Sequence, residues 1–371
     1  MKICKLSDIA RFTTGKLNSN AATMKGRYPF FTCAPKPLTI DTYAYDTKAV
    51  ILAGNNAEGN FHIQYYEGKF NAYQRTYIIE TNDETIVDIR YLYYALKICL
   101  LHFKQISQGT ATKFLTAKIL NAFELPIPRI EEQQKIAFLL AEIDEKIKTN
   151  EIINNNLEQQ VQAIFANEFL SLDTLPEGWK QASLIDIADY LNGLAMQKYR
   201  PTADESGIPV LKIKELRQGY CDDNSELCSP SIKSDYIIHD GDVIFSWSGS
   251  LLVDLWCGGI CGLNQHLFKV TSSKYDKWFY YAWTKHHLDR FVAVAADKAT
   301  TMGHIKRDEL AKAEVLIPNE ADYNRIGALL QPIYEMIISN RIENKKLAAT
   351  RDTLLPKLMN GEIDMSEVDY E

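Results

Sequence analysis

Two stretches of the chain carry apolar residues at alternating spacings of four and three. In the first, Ile136, Leu140, Ile143 and Ile147 are followed by Leu157, Val161 and Ile164; in the second, Ile326, Leu330, Ile333 and Ile337 are followed by Leu347 and Leu354. That rhythm is the seam of a coiled coil, narrower than the apolar stripe of a helix lying on a globular core. PIPRIEEQQK supplies prolines and then an acidic first turn, which suits the positive end of a helix dipole. Both seams are interrupted at matching places, by Asn150 and Asn154 in one and by Asn340 and Asn344 in the other. An asparagine in a seam costs stability but sets register, because a slipped pairing leaves its amide without a partner. The two helices are therefore expected to pack antiparallel on each other, with the asparagines pairing near the middle. At ~1.5 Å per residue, roughly 35 to 40 helical residues make a rod of more than ~50 Å. Such a rod would hold two globules at opposite ends, related by an approximate two-fold axis. Pro332 is expected to kink the second helix, and Gly361, after KLMN, to stop it.

The helices belong to an internal repeat. Shifted by 190 positions, residues 127–157 lie over 317–347 without a gap and match at 12 of 31 places. Upstream, LSDIARFTTGK (6–16) resembles LIDIADYLNGL (184–194), RYLYYALK (90–97) resembles KWFYYAWTK (277–285), and TATKFL (110–115) resembles TTMGHI (300–305). Each copy is a globule followed by a long helix, with segments at 1–128, 129–172, 173–318 and 319–371. KAVILAG (48–54) and DVIFSWSG (242–249) read as buried strands ending in turns. FNAYQRTYIIE (70–80) and LNQHLFKVT (263–271) read as strands entered from a loop, and 88–106 and 277–295 as helices. The fold class expected is α+β: two similar globular α/β domains, separated by two long antiparallel coiled-coil helices in a pseudo-two-fold internal repeat.

With 46% hydrophobic and 24% charged residues the chain can build ordinary cores, which excludes a disordered protein. Seven scattered cysteines without a CxxC pair point to free thiols in a reducing compartment and away from a zinc site. The N-terminus has charges every few residues, and no uncharged stretch approaches the ~18 to 20 residues that span a bilayer. A cytoplasmic chain with no membrane partner is expected. Phosphate loops, nucleophile elbows and zinc helices are missing from the sequence. Asp46, Glu67 and Lys69 are the nearest approach to a metal-dependent nuclease set, and the second copy has Cys257, Gly258 and Gly259 there instead. No catalytic residue, bound metal or cofactor is assigned to this chain.

Binding chemistry is left, and it repeats. Asn71, Tyr73, Gln74 and Arg75 in the first copy are answered by Asn264, Gln265 and His266 in the second. Such side chains read base edges, with Arg suited to guanine and Asn or Gln to adenine. A second cluster, with Thr110, Thr112 and Lys113 against Thr300, Thr301 and Lys306, offers hydroxyls and a lysine for phosphate contact. Charge runs against a nucleic-acid protein acting alone. The first globule is net basic, but the other three segments are acidic and the total is −7.

LPEGW (175–179), LPIPRIEEQQKIAFLLAEIDEKI (125–147), SWSGS (246–250), LNQH (263–266), TTMGHI (300–305) and TLLPKLMNGEI (353–363) together resemble the specificity subunit of a type I restriction-modification system. The resemblance covers essentially the whole chain, although the first copy lacks an LPxGW start. It implies two target-recognition domains, each reading half of a split double-stranded DNA sequence, with the helices as a ruler between the halves. It also implies partners: two methyltransferase subunits carrying S-adenosylmethionine and, where they exist, two restriction subunits using ATP and Mg. The acidic total is then understandable if partners clamp the duplex. A protein–protein scaffold with two adaptor domains on a helical spacer is the alternative.

Overall fold

The computed structural model describes residues 2–297, 305 and 307–365. The chain divides into two compact units, the first formed by Met1–Lys146 with Leu347–Glu371 and the second by Ile147–Lys346.

In the first unit, Lys2–Lys5 pairs antiparallel with Glu124–Ile127 and ties the start of the chain to the entrance of the long helix Ile130–Phe165. Between them lies a six-stranded sheet in the order Ala10–Thr14, Thr76–Thr81, Tyr45–Ala53, Ile63–Ala72, Tyr28–Phe31, Leu38–Ile40. All neighbours are antiparallel except Tyr28–Phe31 beside Ile63–Ala72. The run AVILA at 49–53 is buried throughout because the strand has cover on both faces. Val50 and Leu52 join the core with Leu92 and Leu96, while Ala49 and Ile51 pack with Phe31 and Phe70 on the other side. That first core also takes Ile136, Ala137 and Leu140 from one long helix and Leu355, Leu358 and Met359 from the other.

The second unit repeats the plan. Lys180–Ser183 pairs with Glu314–Ile317 ahead of the long helix Glu320–Met359. Its sheet is divided in two: Asp189–Asn192, Leu267–Thr271, Val243–Ser246 and Leu252–Leu255 form one part, and Leu227–Cys228, Ile208–Leu211, Cys261–Leu263 and Ile237–Ile238 the other. The tryptophan of LPEGW, Trp179, is buried against Phe169 and donates from Nε1 to Asp322 at 3.0 Å, which fastens the globule to the first turn of the second helix. A shared task is met by different chemistry in the two units. Buried Gln133 accepts from the Asp88 amide through Oε1 at 3.0 Å, and the Tyr323 hydroxyl accepts from the Asp276 amide at 2.8 Å. Both bonds hold the long helix against the start of the helix that follows the sheet.

Within the second unit the two long helices run antiparallel in contact. Asn150 Nδ2 donates to Asn344 Oδ1 at 2.8 Å, and Asn340 Nδ2 donates to Asn154 Oδ1 at 2.9 Å. Asn154 Nδ2 and Asn344 Nδ2 each add a bond to a main-chain carbonyl of the facing helix, those of Ile337 and Ile147. Next to this layer Arg341 bridges Glu158, at 2.9 Å, and Asp254, at 2.8 Å. In the first unit Arg351 bonds Asp144 at 2.6 Å, and Tyr94 donates to the same carboxylate.

Three sequence expectations need revision. Residues 88–106 and 277–295 are not single helices: each breaks after ten residues, at Cys99 and at His287. The stretches 70–80 and 263–271 are each the end of one strand, a tight turn and the next strand. Pro332 does not interrupt the second helix; it sits on the exposed face, where water can take the carbonyl that loses its partner. Gly361, with φ +74°, follows the last helical residue, Met359. All seven cysteines are free, and among the described residues no helix is long and apolar enough to cross a membrane.

Replacing Asn154 with Ala leaves the Asn340 amide without its acceptor and should cost about 1–3 kcal/mol in denaturant unfolding. Replacing Asn154 and Asn340 together with Leu should recover most of that loss, since no orphaned amide then remains.

Candidate nucleic-acid interface

The first of the repeated polar clusters falls on a turn with the same main-chain bonds in both units. In the first unit, the turn Tyr73–Arg75 joins the strands Ile63–Ala72 and Thr76–Thr81 and is held by a set of main-chain bonds. Tyr73 N donates to Phe31 O at 2.8 Å, Gln74 N to Leu17 O at 2.9 Å, and Thr76 N to Tyr73 O at 2.8 Å. In the second unit Asn264 N donates to Leu211 O at 3.2 Å, Gln265 N to Leu194 O at 2.8 Å, and Leu267 N to Asn264 O at 3.0 Å. The correspondence is thus Tyr73 with Asn264, Gln74 with Gln265 and Arg75 with His266. Asn71, by register, matches Gly262.

One chain crossing behind each turn has no room for a side chain. A Cβ on Gly15 would collide with the carbonyl oxygens of Ala72 and Tyr73, and one on Gly193 with those of Leu263 and Asn264. These glycines serve close approach, since neither has a positive φ.

Around the first turn the candidates separate into two groups. Gln74 and Arg75 are exposed, and Gln74 Nε2 donates to Asn18 Oδ1 at 3.0 Å. Asn71 is buried, with Oδ1 taken by the Ala72 amide at 3.0 Å, so it shapes the turn and does not face outward. The second cluster is brought to the same end of the sheet: Lys113–Phe114 pairs with Asn55–Asn56, and Leu115 N donates to Gly54 O at 2.9 Å. Thr110 is exposed, Thr112 and Lys113 half-buried. The Arg75 guanidinium lies over the Phe114 ring, 5.4 Å from its centroid. Cys33 Sγ bonds Asn55 Oδ1 at 2.8 Å and the Arg75 carbonyl at 3.5 Å. Tyr77 donates to Leu115 O at 2.9 Å; burial pushes its phenol above the usual value and keeps it a neutral donor.

In the second unit Asn264 is buried, and its Oδ1 accepts from the His266 amide. Gln265 and His266 are half-buried, and His266 Nδ1 lies 3.1 Å from Ser248 Oγ. Trp247 occupies the place of Gly54, since Ile305 N donates to its carbonyl at 3.0 Å just as Leu115 does in the first unit. Its ring stacks on Phe268, sits 6.3 Å from His266 and donates to Asn192 Oδ1 at 3.0 Å. Thr300, Thr301 and Lys306 lie outside the described residues. The neighbouring Arg307, itself exposed, donates to the Tyr190 carbonyl at 3.3 Å.

Sequence reasoning missed Asn55, Asn56, Phe114, Trp247 and Ser248 as parts of these surfaces. The signal was present, because KAVILAGNN and DVIFSWSGS both end a buried strand with small or polar residues at the same point of the repeat. The residues considered for a nuclease share an exposed stretch of the sheet, Asp46 opposite Lys69, but Glu67 pairs with Lys48 across the strands at 3.7 Å and Lys69 lies over the Tyr43 ring. Among the described residues no group of His, Cys, Asp and Glu is placed to hold a metal.

The family model for the type I restriction modification DNA specificity domain matches residues 1–159 and again 176–349. The EcoDI specificity subunit of Escherichia coli is 34% identical over 98% of this chain and 88% of its own length. The MjaIX specificity subunit of Methanocaldococcus jannaschii is 28% identical over 75% of this chain and 70% of its own. The crystal structure of the type I S subunit from M. genitalium has the same fold, with a TM-score of 0.65 at 14% identity over 96% of this chain and 95% of that one. The chain belongs to the family of type I restriction-modification specificity subunits, the non-catalytic members of those systems.

Gly193→Ala should force the backbone behind the second turn apart at a cost of about 1–3 kcal/mol. Denaturant unfolding of the purified chain measures it.

Proposed function

We propose that this specificity subunit reads a split double-stranded DNA target, one half at the turn of each unit, and serves as the platform for methyltransferase and restriction subunits. The observation that carries the reading is the recurrence of one main-chain scaffold with different outward side chains: Gln74 and Arg75 on one turn, Gln265 and His266 on the other. A fixed frame with exchangeable donors and acceptors suits two different short sequences. Thr110, Thr112 and Lys113 extend the first surface toward phosphates, and Thr300, Thr301 and Lys306 are assigned the same task in the second. The long helices, each contributing to both units, set the gap between the halves, and the asparagine pairs fix their register.

The chemistry is assigned to partners: S-adenosylmethionine to two methyltransferase subunits, ATP and Mg to restriction subunits. Exposed acidic and basic side chains near the helix ends provide the docking surface. An acidic chain of net charge −7 then depends on those partners for much of the positive charge a duplex requires.

Co-expression with a cognate methyltransferase, followed by genome-wide mapping of N6-methyladenine, tests the proposal. A split motif with a fixed gap supports it; a stable complex with no new methylation refutes it in favour of a scaffold. Arg75→Ala should relax one half-site and leave the other intact, with His266→Ala doing the reverse. Each should cost roughly 10- to 100-fold in affinity for the affected half. Equal loss at both halves would refute the two-reader arrangement.

A further inference from the structure

We infer that the half-site read by the first unit contains a guanine, and that Arg75 reads it through N7 and O6 in the major groove. The inference rests on the proposed DNA reading and adds the identity of one base. Arg75 is exposed, and among the described residues no carboxylate or carbonyl takes any of its guanidinium N–H groups. Its fork is nevertheless held in place. The Arg75 carbonyl accepts from Gly54 N at 2.8 Å and from Cys33 Sγ, which fixes the main chain beneath the side chain. The guanidinium rests on the Phe114 ring. That ring is itself anchored, because Phe114 exchanges two main-chain bonds with Gln108, at 2.7 and 3.0 Å, and pairs with Asn55.

A cation lying on an aromatic face keeps its in-plane N–H edges free and gives up little rotamer freedom on binding. Guanine is the base that presents two acceptors side by side in the major groove, and it matches a planar donor fork; adenine places a donor at the second position. A phosphate contact would use the same fork but would not need a preset orientation on the Phe114 ring. The second unit differs at this point. His266 stands in the place of Arg75 with Nδ1 engaged by Ser248, so the inference is confined to the first unit.

The test uses the full chain in complex with its methyltransferase and a duplex carrying the mapped motif. Each guanine of the half-site altered by Arg75→Ala is replaced in turn by 7-deazaguanine, which lacks the N7 acceptor, and by inosine, which keeps N7 and O6. At one position 7-deazaguanine should weaken wild-type binding about 10-fold and Arg75→Ala binding less than about 2-fold, with inosine nearly neutral. Phe114→Leu, which removes the ring face but keeps a side chain in place, should lose part of the same discrimination. The other half-site, still read normally, shows that each variant is folded. The inference is overturned if that half-site has no guanine, or if 7-deazaguanine costs wild type and Arg75→Ala the same at every position. It is equally overturned if Arg75→Ala weakens all sequences alike and makes the salt dependence shallower, the mark of a phosphate contact. A wild-type complex that binds no split motif overturns the DNA reading and this inference with it.

Discussion

The structure depends on backbone packed against backbone at the two turns. Three chain segments meet there through amides and carbonyls, and a glycine stands behind each turn because a single Cβ would push the segments apart. Amide groups are common to every residue, so a frame made from them is indifferent to the side chains it displays. Gln74 and Arg75 can become Gln265 and His266 without moving the frame. What the frame demands in both units is the glycine behind the turn, Gly15 and Gly193, while buried Asn71 and Asn264 each add a side-chain bond to the turn of their own unit.

The long helices follow a different logic. Their contact in the second unit is polar at its centre, with four asparagine amides satisfied by one another and by main-chain carbonyls, and with Arg341 paired to two carboxylates alongside. Leucines at these positions would pack at least as favourably, but they would also accept neighbouring registers. A polar layer penalises every register except the one that pairs its amides.

The features legible in the sequence are those set by periodicity and repetition. Heptad spacing locates both long helices, and the 190-residue shift locates the second copy; the tight turns inside 70–80 and 263–271 are not visible in either. Local interruptions were less visible. Cys99 and His287 break helices that stay apolar on a helical period across the break, and neither break carries a glycine or proline. The shift alone could not tell which polar residues face outward. Asn71 and Asn264 looked like equivalents as letters, yet strand register pairs Asn71 with Gly262 and Asn264 with Tyr73. Phe114 was invisible for another reason: its part in the surface is to hold Arg75 from a segment some forty residues away, which no local pattern encodes.

The first unit is discontinuous in the chain, and this bears on the order in which the protein can be completed during synthesis. Leu355, Leu358, Met359 and Met365 belong to the same core as Leu6, Val50 and Leu92. The ribosome therefore delivers the sheet of the first unit early, but the side chains that close its core come only after the whole of the second unit has been made. Until then Ile136, Ala137 and Leu140 lack the second long helix from their shared core. The segment translated first is thus among the last to finish folding, and for most of translation it must rely on its six-stranded sheet to avoid non-native partners.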